Sequence, residues 1–397
     1  MTETHGYSLD LGSSKFCLAL LRSNRKKSEI EVHACPSKGI RHGRIVDFSA
    51  AKDQLSLLIE QAEHKFNTDI YEISVSITGN NTNSLLLEAE LHLENQQVEN
   101  ATLVSLYKQA VEKASSTEKL VLHVAPLGFQ INGEAWYENP IGMRANKITA
   151  RYFVLQGNAS YAKEIVRICN ESGLKVENLY AAPFAASTPF LTHTLKKMGV
   201  AILDLGGGTS TGLIYIQEKP VESFSLPIGT DTLTHDLSIG LSISHEEAEK
   251  IKNLWGAEAE NPSEIIEILD IHGKKKVVTK EKVLRILIPR IQEIAAFLEK
   301  KISRHKIQIG AGLLLTGGGS EVKGIEKICN ATLKIPCNLL KLIHPDGALL
   351  TKETHQRAFS CVIGMLLLEE KNKKDLRNST NKSSTTQRLL SLFSRKS

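Results

Sequence analysis

No run of about 18 consecutive apolar residues occurs in this 397-residue sequence, so we expect no segment that spans a membrane. The first residues are polar and lead at once into a predicted strand, without the charged and then apolar pattern of a secretory signal peptide. The six cysteines form no Cys-x-x-Cys pair, and most lie in apolar stretches, which favours reduced core residues. We therefore expect a cytoplasmic protein.

The chain also has little excess of one sign of charge. The formal net charge is +5 at pH 7, which does not indicate a nucleic-acid-binding protein. A mild positive charge instead favours anionic partners such as lipid headgroups, nucleotides or acidic peptides. Hydrophobic residues make up 41% and charged residues 23% of the chain, as in ordinary globular proteins, and the length allows roughly two to four domains.

Apolar periodicity predicts an α/β fold in which one pattern occurs twice. A strand over 7–11 reaches an aspartate and a glycine turn before a returning strand over 17–22, and the same order recurs from 200 to 217. Residues 84–157 have a different, α+β texture, which indicates an inserted module. Residues 235–306 are predicted to be mainly helical, and a final apolar helix is predicted to end at Glu369.

The two repeated turns have the residues of a phosphate-binding site. Glycine lets the backbone turn tightly, and consecutive N–H groups then form a concave site for an anion. The aspartates can hold Mg²⁺ through water, and the lysine adds a positive charge for phosphate. The first turn would contribute Asp10, Gly12, Ser13, Ser14 and Lys15, and the second Asp204, Gly206, Gly207, Gly208 and Thr209.

A third glycine turn follows a predicted buried strand and has no acidic residue, so it suits a neutral group such as a nucleoside. It consists of Gly317, Gly318 and Gly319. Neither a P-loop nor a G-x-G-x-x-G fingerprint is present. The three turns together resemble the duplicated, ribonuclease H-like cores of the actin, sugar-kinase and heat-shock chaperone ATPases, in which a nucleotide lies between two halves.

Within that superfamily the chain resembles the FtsA family of bacterial cell-division proteins from residue 7 to 368 and again at its terminal segment. The segments that carry the resemblance are 36–47, 74–83, 123–129, 139–143 and 227–241. The resemblance implies subdomain 1A over 1–84 and 158–199, inserted subdomain 1C over 85–157, subdomain 2A over 200–234 and 307–370, subdomain 2B over 235–306, a disordered linker over 371–387, and an amphipathic membrane-targeting segment over 388–397.

The resemblance also implies ligands and partners. ATP with Mg²⁺ would be bound at the three turns, with Glu249 and Lys252 on the helix that faces ribose and adenine. Subdomain 2B would receive the acidic C-terminal peptide of FtsZ, and its basic candidates are Arg285, Arg290, Lys300 and Lys301. Head-to-tail filaments, contacts with other division proteins, and a location at the cytoplasmic face of the inner membrane at the division site are implied as well.

The last ten residues are predicted to lie on anionic lipid as an amphipathic helix. At about 100° per residue, their apolar side chains fall on one face and most of their basic side chains on the other. The segment is too short to span a bilayer, and the polar linker before it is low in apolar residues. The residues expected at the membrane are Arg388, Leu389, Leu390, Leu392, Phe393, Arg395 and Lys396.

Two other classes of protein stay open. A PilM-like actin-fold scaffold of pilus assembly shares the inserted subdomain but needs no lipid-binding tail. A sugar-kinase-type phosphotransferase would need a general base beside an acceptor pocket, and the sequence offers no persuasive candidate. Thr211 stands where the FtsA family usually has a second acidic residue, so we expect ATP binding with weak hydrolysis at most.

Overall fold

The computed structural model describes residues 4–23, 28–342, 349–350 and 356–378. The first half of the chain contains, in order, β1 (Thr4–Leu11), β2 (Lys15–Ser23), β3 (Ser28–Pro36), β4 (Ile40–Arg41), β5 (Arg44–Ile45), α1 (Phe48–Phe66), β6 (Glu72–Ile77), β7 (Thr82–Gln97), α2 (Asn100–Ala114), β8 (Lys119–Ile131), β9 (Trp136–Tyr137), β10 (Arg144–Asn158), α3 (Ala159–Glu171), β11 (Lys175–Ala181), α4 (Ala182–Ala185) and α5 (His193–Met198). The second half contains β12 (Val200–Leu205), β13 (Ser210–Ile216), β14 (Lys219–Leu226), α6 (Asp231–Leu241), α7 (His245–Trp255), β15 (Ile265–Leu269), β16 (Lys275–Thr279), α8 (Lys280–Ile302), β17 (Leu313–Thr316), α9 (Ile325–Leu333), β18 (Cys337–Leu339), β19 (Leu349–Leu350) and α10 (Ser360–Asn378).

Two sheets repeat one topology. The first has the order β11-β6-β1-β2-β3, extended at β3 by β19, and the second has the order β18-β17-β12-β13-β14. In each sheet three consecutive strands pair antiparallel as a meander. The first strand of the meander also pairs in parallel with a fourth strand, and the fourth pairs in parallel with a fifth. This equivalence confirms the predicted duplicated cores, and each repeat forms one lobe of the molecule.

The lobes bury three layers of apolar side chains because successive residues of a strand point to opposite faces of the sheet. In β2, Leu18 and Leu20 pack beneath α1 and α3, while Cys17 and Ala19 pack against α10 and strands of the second lobe. The far face of the second sheet packs on α6, α8 and α9. The aspartate-bearing strands β1 and β12 therefore lie in sheets that are packed on both faces.

The predicted insertion forms a separate α+β unit. Its antiparallel sheet has the order β7-β10-β8-β9, and α2 packs on one face around a core that includes the fully buried Phe129 and Tyr152. The unit also contacts the second lobe, because the Ser223 N–H donates to Ser84 Oγ at 2.8 Å. The inserted α+β subdomain is thus confirmed as part of the fold.

The segment 235–306 is less helical than predicted. A two-stranded hairpin of β15 and β16 lies between α7 and α8. Ile268 and Val278 face the core, whereas Ile265 and Leu269 face solvent, so apolar residues occupy both faces of β15. This pattern hides the period-2 alternation that would have predicted a strand.

The end of the chain departs from its prediction as well. Helix α10 continues to Asn378, so the prediction of disorder is wrong for residues 371–378. The rest of that linker and the membrane-targeting segment 388–397 lie outside the described residues. Among the helices of the described part, none is long and apolar enough to cross a membrane.

Candidate functional site

Two hairpins with matching geometry face each other between the lobes. At the β1–β2 turn the Gly12 N–H donates to the Lys15 carbonyl at 3.1 Å, and at the β12–β13 turn the Gly206 N–H donates to the Thr209 carbonyl at 3.1 Å. Each turn follows an aspartate near the end of its first strand. The duplicated fold therefore presents two aspartate-bearing turns to one space.

That space is a cleft with a cavity volume of about 240 Å³. All fifteen residues that the sequence predicted to contact a nucleotide line it, so the structure brings them together. They are Asp10, Gly12, Ser13, Ser14, Lys15, Asp204, Gly206, Gly207, Gly208, Thr209, Glu249, Lys252, Gly317, Gly318 and Gly319.

Close approach of the chain segments requires glycine at two of these positions. A Cβ atom at Gly207 would lie 2.6 Å from Ser14 Cβ in the opposite lobe, closer than real contacts allow. Gly317 has a φ of +81°, and a Cβ atom there would lie 2.2 Å from Asp204 Oδ1. The second turn is thus packed tightly against the first, and the third turn against Asp204.

The two aspartates share a buried environment with one lysine. Burial and, to a smaller extent, the nearby Asp10 carboxylate together raise the pKa of Asp204 to about 7, against the opposing charge of Lys15. Burial also raises the pKa of Asp10, against a hydrogen bond from Ser76 and the charge of Lys15. Burial lowers the pKa of Lys15, whose Nζ lies 4.2 Å from the Phe359 ring centroid. A bound cation would stabilise the ionised form of these two buried carboxylates.

The helix α7 contributes to the same cleft an ion pair between a buried lysine and a partly exposed glutamate. Lys252 Nζ donates to Glu249 Oε2 at 2.6 Å and to Thr234 Oγ1 at 2.9 Å, and the Lys252 side chain is almost wholly buried. Burial tends to raise the pKa of Glu249, but the hydrogen bonds from Lys252 and Thr234 lower it overall. Glu249 is therefore held ionised with a fixed side-chain position.

A loop of the first lobe that includes His42 and Gly43 contacts the glycine turn between β12 and β13. The ring Nδ1 of His42 lies 3.0 Å from the Gly208 carbonyl oxygen, and the Gly43 N–H donates to Ser13 Oγ at 2.9 Å. Sequence reasoning assigned no role to His42, although it lies in the segment 36–47 that carries the family resemblance. The loop therefore contacts both turns.

Sequence reasoning also missed Asp231, which lines the cleft at the start of α6. The only signal was its place within the segment 227–241, where no chemistry had been assigned to it. Its backbone N–H donates to the Gly207 carbonyl at 2.9 Å. The contact depends on packing between elements distant in sequence, which local pattern does not predict.

The four basic partner candidates all lie on α8, away from the cleft lining. Arg290 is already engaged, because its Nε lies 2.6 Å from Asp236 Oδ2 on α6. Within the described ranges of the chain, Arg285 pairs with the exposed Glu281 on its own helix, and Lys300 and Lys301 are exposed. The seven residues expected at the membrane lie outside the described part of the chain.

The fold and the cleft define this protein as actin-like. Among solved structures, the PilM–PilN type IV pilus biogenesis complex matches with a TM-score of 0.64 and 15% identity, covering 92% of this chain and 98% of that one. MreB5 of Spiroplasma citri bound to ADP matches with a TM-score of 0.56 and 14% identity, covering 94% and 99%. Similarity at this level of identity establishes the fold.

Sequence comparison identifies the family. A model described as cell division protein FtsA matches residues 201–364, and a model described as the SHS2 domain inserted in FtsA matches residues 79–156. The cell division protein FtsA of Borreliella burgdorferi is 26% identical over 92% of this chain and 91% of its own length. That of Rhizobium meliloti is 26% identical over 90% and 86%. The chain belongs to the FtsA family of cell division proteins.

Proposed function

We propose that this chain binds ATP with Mg²⁺ in the interlobe cleft and acts as a polymerising scaffold that attaches FtsZ filaments to the cytoplasmic membrane at the division site. The observation that carries the proposal is the pair of matched aspartate-bearing hairpins facing one cleft in a chain of the FtsA family. Structures of MreB5 carry ADP and AMPPNP in the same fold, which supports a nucleotide as the ligand.

The residues present fit a magnesium nucleotide. The backbone N–H groups of the two turns supply an anion site, and Lys15 supplies a positive charge beside it. Asp10 and Asp204 would hold Mg²⁺ through water, since this ion keeps much of its hydration shell and is bound by one or two carboxylates together with phosphates. Bound Mg²⁺ would neutralise phosphate charge and relieve the repulsion between the two carboxylates.

Hydrolysis is expected to be weak at most. Thr211 lies opposite Asp204 in the β12–β13 pair and lines the cleft, so a neutral hydroxyl stands where relatives usually have an acid. A hydroxyl is a poorer proton acceptor than a carboxylate for orienting water. ATP would act mainly as a ligand that joins the lobes, through its different affinity for their open and closed arrangements. Closure by ATP would then favour head-to-tail assembly.

The proposed FtsZ site is the exposed face of α8. Arg285, Lys300 and Lys301 project charge that would steer an acidic peptide, and the partly exposed Phe297 ring lies beside Lys300. Arg290 instead fixes α8 against Asp236 of α6. Binding of the acidic C-terminal peptide of FtsZ should therefore fall with rising salt.

A peptide titration tests this face. Charge reversal by Arg285→Glu combined with Lys301→Glu should weaken binding of the peptide about tenfold or more, while Lys163→Glu on α3 of the first lobe should leave it unchanged. Fluorescence anisotropy at two salt concentrations measures both effects. Binding that is independent of salt and of these charges would refute the proposed face.

Membrane attachment is assigned to residues 388–397. Four partly inserted apolar side chains give about 4–6 kcal/mol and three basic residues near anionic lipid add about 1 kcal/mol each, against several kcal/mol for ordering the segment. One copy would bind weakly and an array of copies strongly. We therefore expect membrane binding to depend on assembly.

Vesicle sedimentation tests the anchor and separates it from the cleft. Deletion of 388–397, or Leu390→Glu on the apolar face, should abolish sedimentation with anionic vesicles and leave ATP affinity unchanged. The matched variant Ser391→Ala on the polar face should sediment like wild type. Full sedimentation of the deletion variant would refute the anchor.

A PilM-like pilus scaffold is the second candidate, because a PilM–PilN complex shares the fold over nearly the whole chain. The FtsA and SHS2 family matches and the amphipathic terminal sequence favour cell division. A chain that ignores the FtsZ peptide and lipid but binds the N-terminal peptide of a pilus protein would reverse this preference.

A further inference from the structure

Asp231 is a partly buried carboxylate that the chain holds against the second glycine turn. Its backbone N–H donates to the Gly207 carbonyl at 2.9 Å, which fixes the start of α6. Its side chain covers the same glycine, since a Cβ atom on Gly207 would lie 2.6 Å from Asp231 Oδ1 and 2.9 Å from Oδ2. The carboxylate therefore lies beside the turn proposed to bind phosphate.

This carboxylate has no hydrogen-bond donor within the described part of the chain. Lys252 is near, but its Nζ donates to Glu249 and Thr234 instead. Burial raises the pKa of Asp231; Lys252, His245 and His42 act against the shift, and Glu249 adds to it. A partly buried carboxylate at the cleft wall with no donor from the described residues has free acceptor capacity toward the cleft, so it fits a ligand that donates a hydrogen bond.

The position of Asp231 narrows the choice of donor. Phosphate oxygens cannot be the donor to Asp231, because they are negatively charged acceptors. Asp231 lines the cleft together with the turn Gly206–Thr209 and with the Glu249–Lys252 pair, whose charges act on it. In a nucleotide the ribose joins the phosphates to the base, and its hydroxyl groups are donors. An acidic residue binds a ribose hydroxyl in the same way in dinucleotide-binding folds.

We propose that Asp231 accepts a hydrogen bond from a ribose hydroxyl and makes the cleft select ribonucleotides over deoxyribonucleotides. The inference rests on the proposed binding of ATP and adds a specificity-determining residue to it. Loss of a hydrogen bond to a charged, partly buried acceptor weakens binding by about 10- to 100-fold. Wild-type protein should therefore prefer ATP over 2′-deoxy-ATP or 3′-deoxy-ATP by that factor.

The test is a calorimetric titration of the full chain with the magnesium complexes of ATP, 2′-deoxy-ATP and 3′-deoxy-ATP. We compare wild type with Asp231→Asn, which keeps the shape of the side chain, and with Asp231→Ser, which shortens it. The control is Glu246→Gln, an exposed carboxylate on α7 that does not line the cleft. Thermal melts establish that each variant is folded.

The expected result is that both Asp231 variants lose most of the preference for ATP, while the control keeps it. A wild-type preference that survives unchanged in both variants would overturn the inference and leave ATP binding intact. Equal loss for all three nucleotides, restored by excess Mg²⁺, would overturn it in favour of a metal ligand. Absence of any nucleotide binding by wild type would overturn this inference together with the proposed function.

Discussion

Binding of magnesium ATP should release protons from the cleft near neutral pH. Burial beside Asp10 raises the pKa of Asp204 to about 7, so about half of the molecules without ligand hold this proton at pH 7. A divalent cation beside the carboxylate favours its ionised form. If the pKa falls by about two units, binding releases about 0.8 proton at pH 6, about 0.5 at pH 7 and about 0.1 at pH 8.

Calorimetry in buffers of different ionisation enthalpy counts these protons directly. The nucleotide also releases protons of its own when it binds. Subtracting the number released with Asp204→Asn from the number released with wild type removes this contribution. Asp10→Asn provides a second comparison, because loss of the neighbouring negative charge lowers the pKa of Asp204 and moves the release to lower pH. Release that is equal in wild type and Asp204→Asn from pH 6 to 8 would refute the buried, cation-sensitive carboxylate.

The same pKa shift predicts how stability changes without ligand. The pKa of Asp204 is higher in the folded chain than in the unfolded chain, so its contribution to the free energy of unfolding is fully present below about pH 4 and is lost as the pH rises through about 7. Asp204→Asn should therefore gain stability relative to wild type as the pH rises. Urea unfolding at several pH values measures this difference, and a constant difference would contradict it.

Gly207→Ala should abolish nucleotide binding by calorimetry, because the new Cβ atom would meet Ser14 across the cleft; full binding would contradict the tight turn. Ile291→Ala in the buried face of α8 should lower the free energy of unfolding by about 2–5 kcal/mol in urea, whereas Arg285→Ala on its exposed face should change it by under about 0.5 kcal/mol. Glu369→Gln should gain stability relative to wild type as the pH rises above about 4.5, because burial raises the pKa of Glu369 and its ionisation disfavours the folded state. A gain in stability that becomes smaller as the pH rises would contradict the raised pKa of Glu369.

The two hairpins could be predicted from sequence because their chemistry is local. Asp10 and Asp204 each precede a glycine turn between two apolar strands, and the fold repeats that unit. The insertion was also visible, since its alternating strands and one amphipathic helix form their own core. Features that depend on a few consecutive residues could therefore be predicted from the sequence pattern.

Features that depend on distant packing were missed. The position of Asp231 is set by the approach of α6 to Gly207, where a Cβ atom at Gly229 would lie 2.1 Å from the Gly207 carbonyl oxygen. The hairpin of β15 and β16 was hidden because Ile265 and Leu269 are apolar but exposed. After the third turn, a short 3₁₀ turn over Gly318–Glu321 precedes α9, which begins at Ile325.

The most direct test of the central claim is a structure of the full chain with Mg²⁺ and the ATP analogue AMPPNP. The account predicts phosphates between the turns that follow Asp10 and Asp204, the metal within water-mediated reach of both carboxylates, and adenosine beside Gly318. Phosphates bound outside these two turns, or a metal that approaches neither carboxylate, would contradict it.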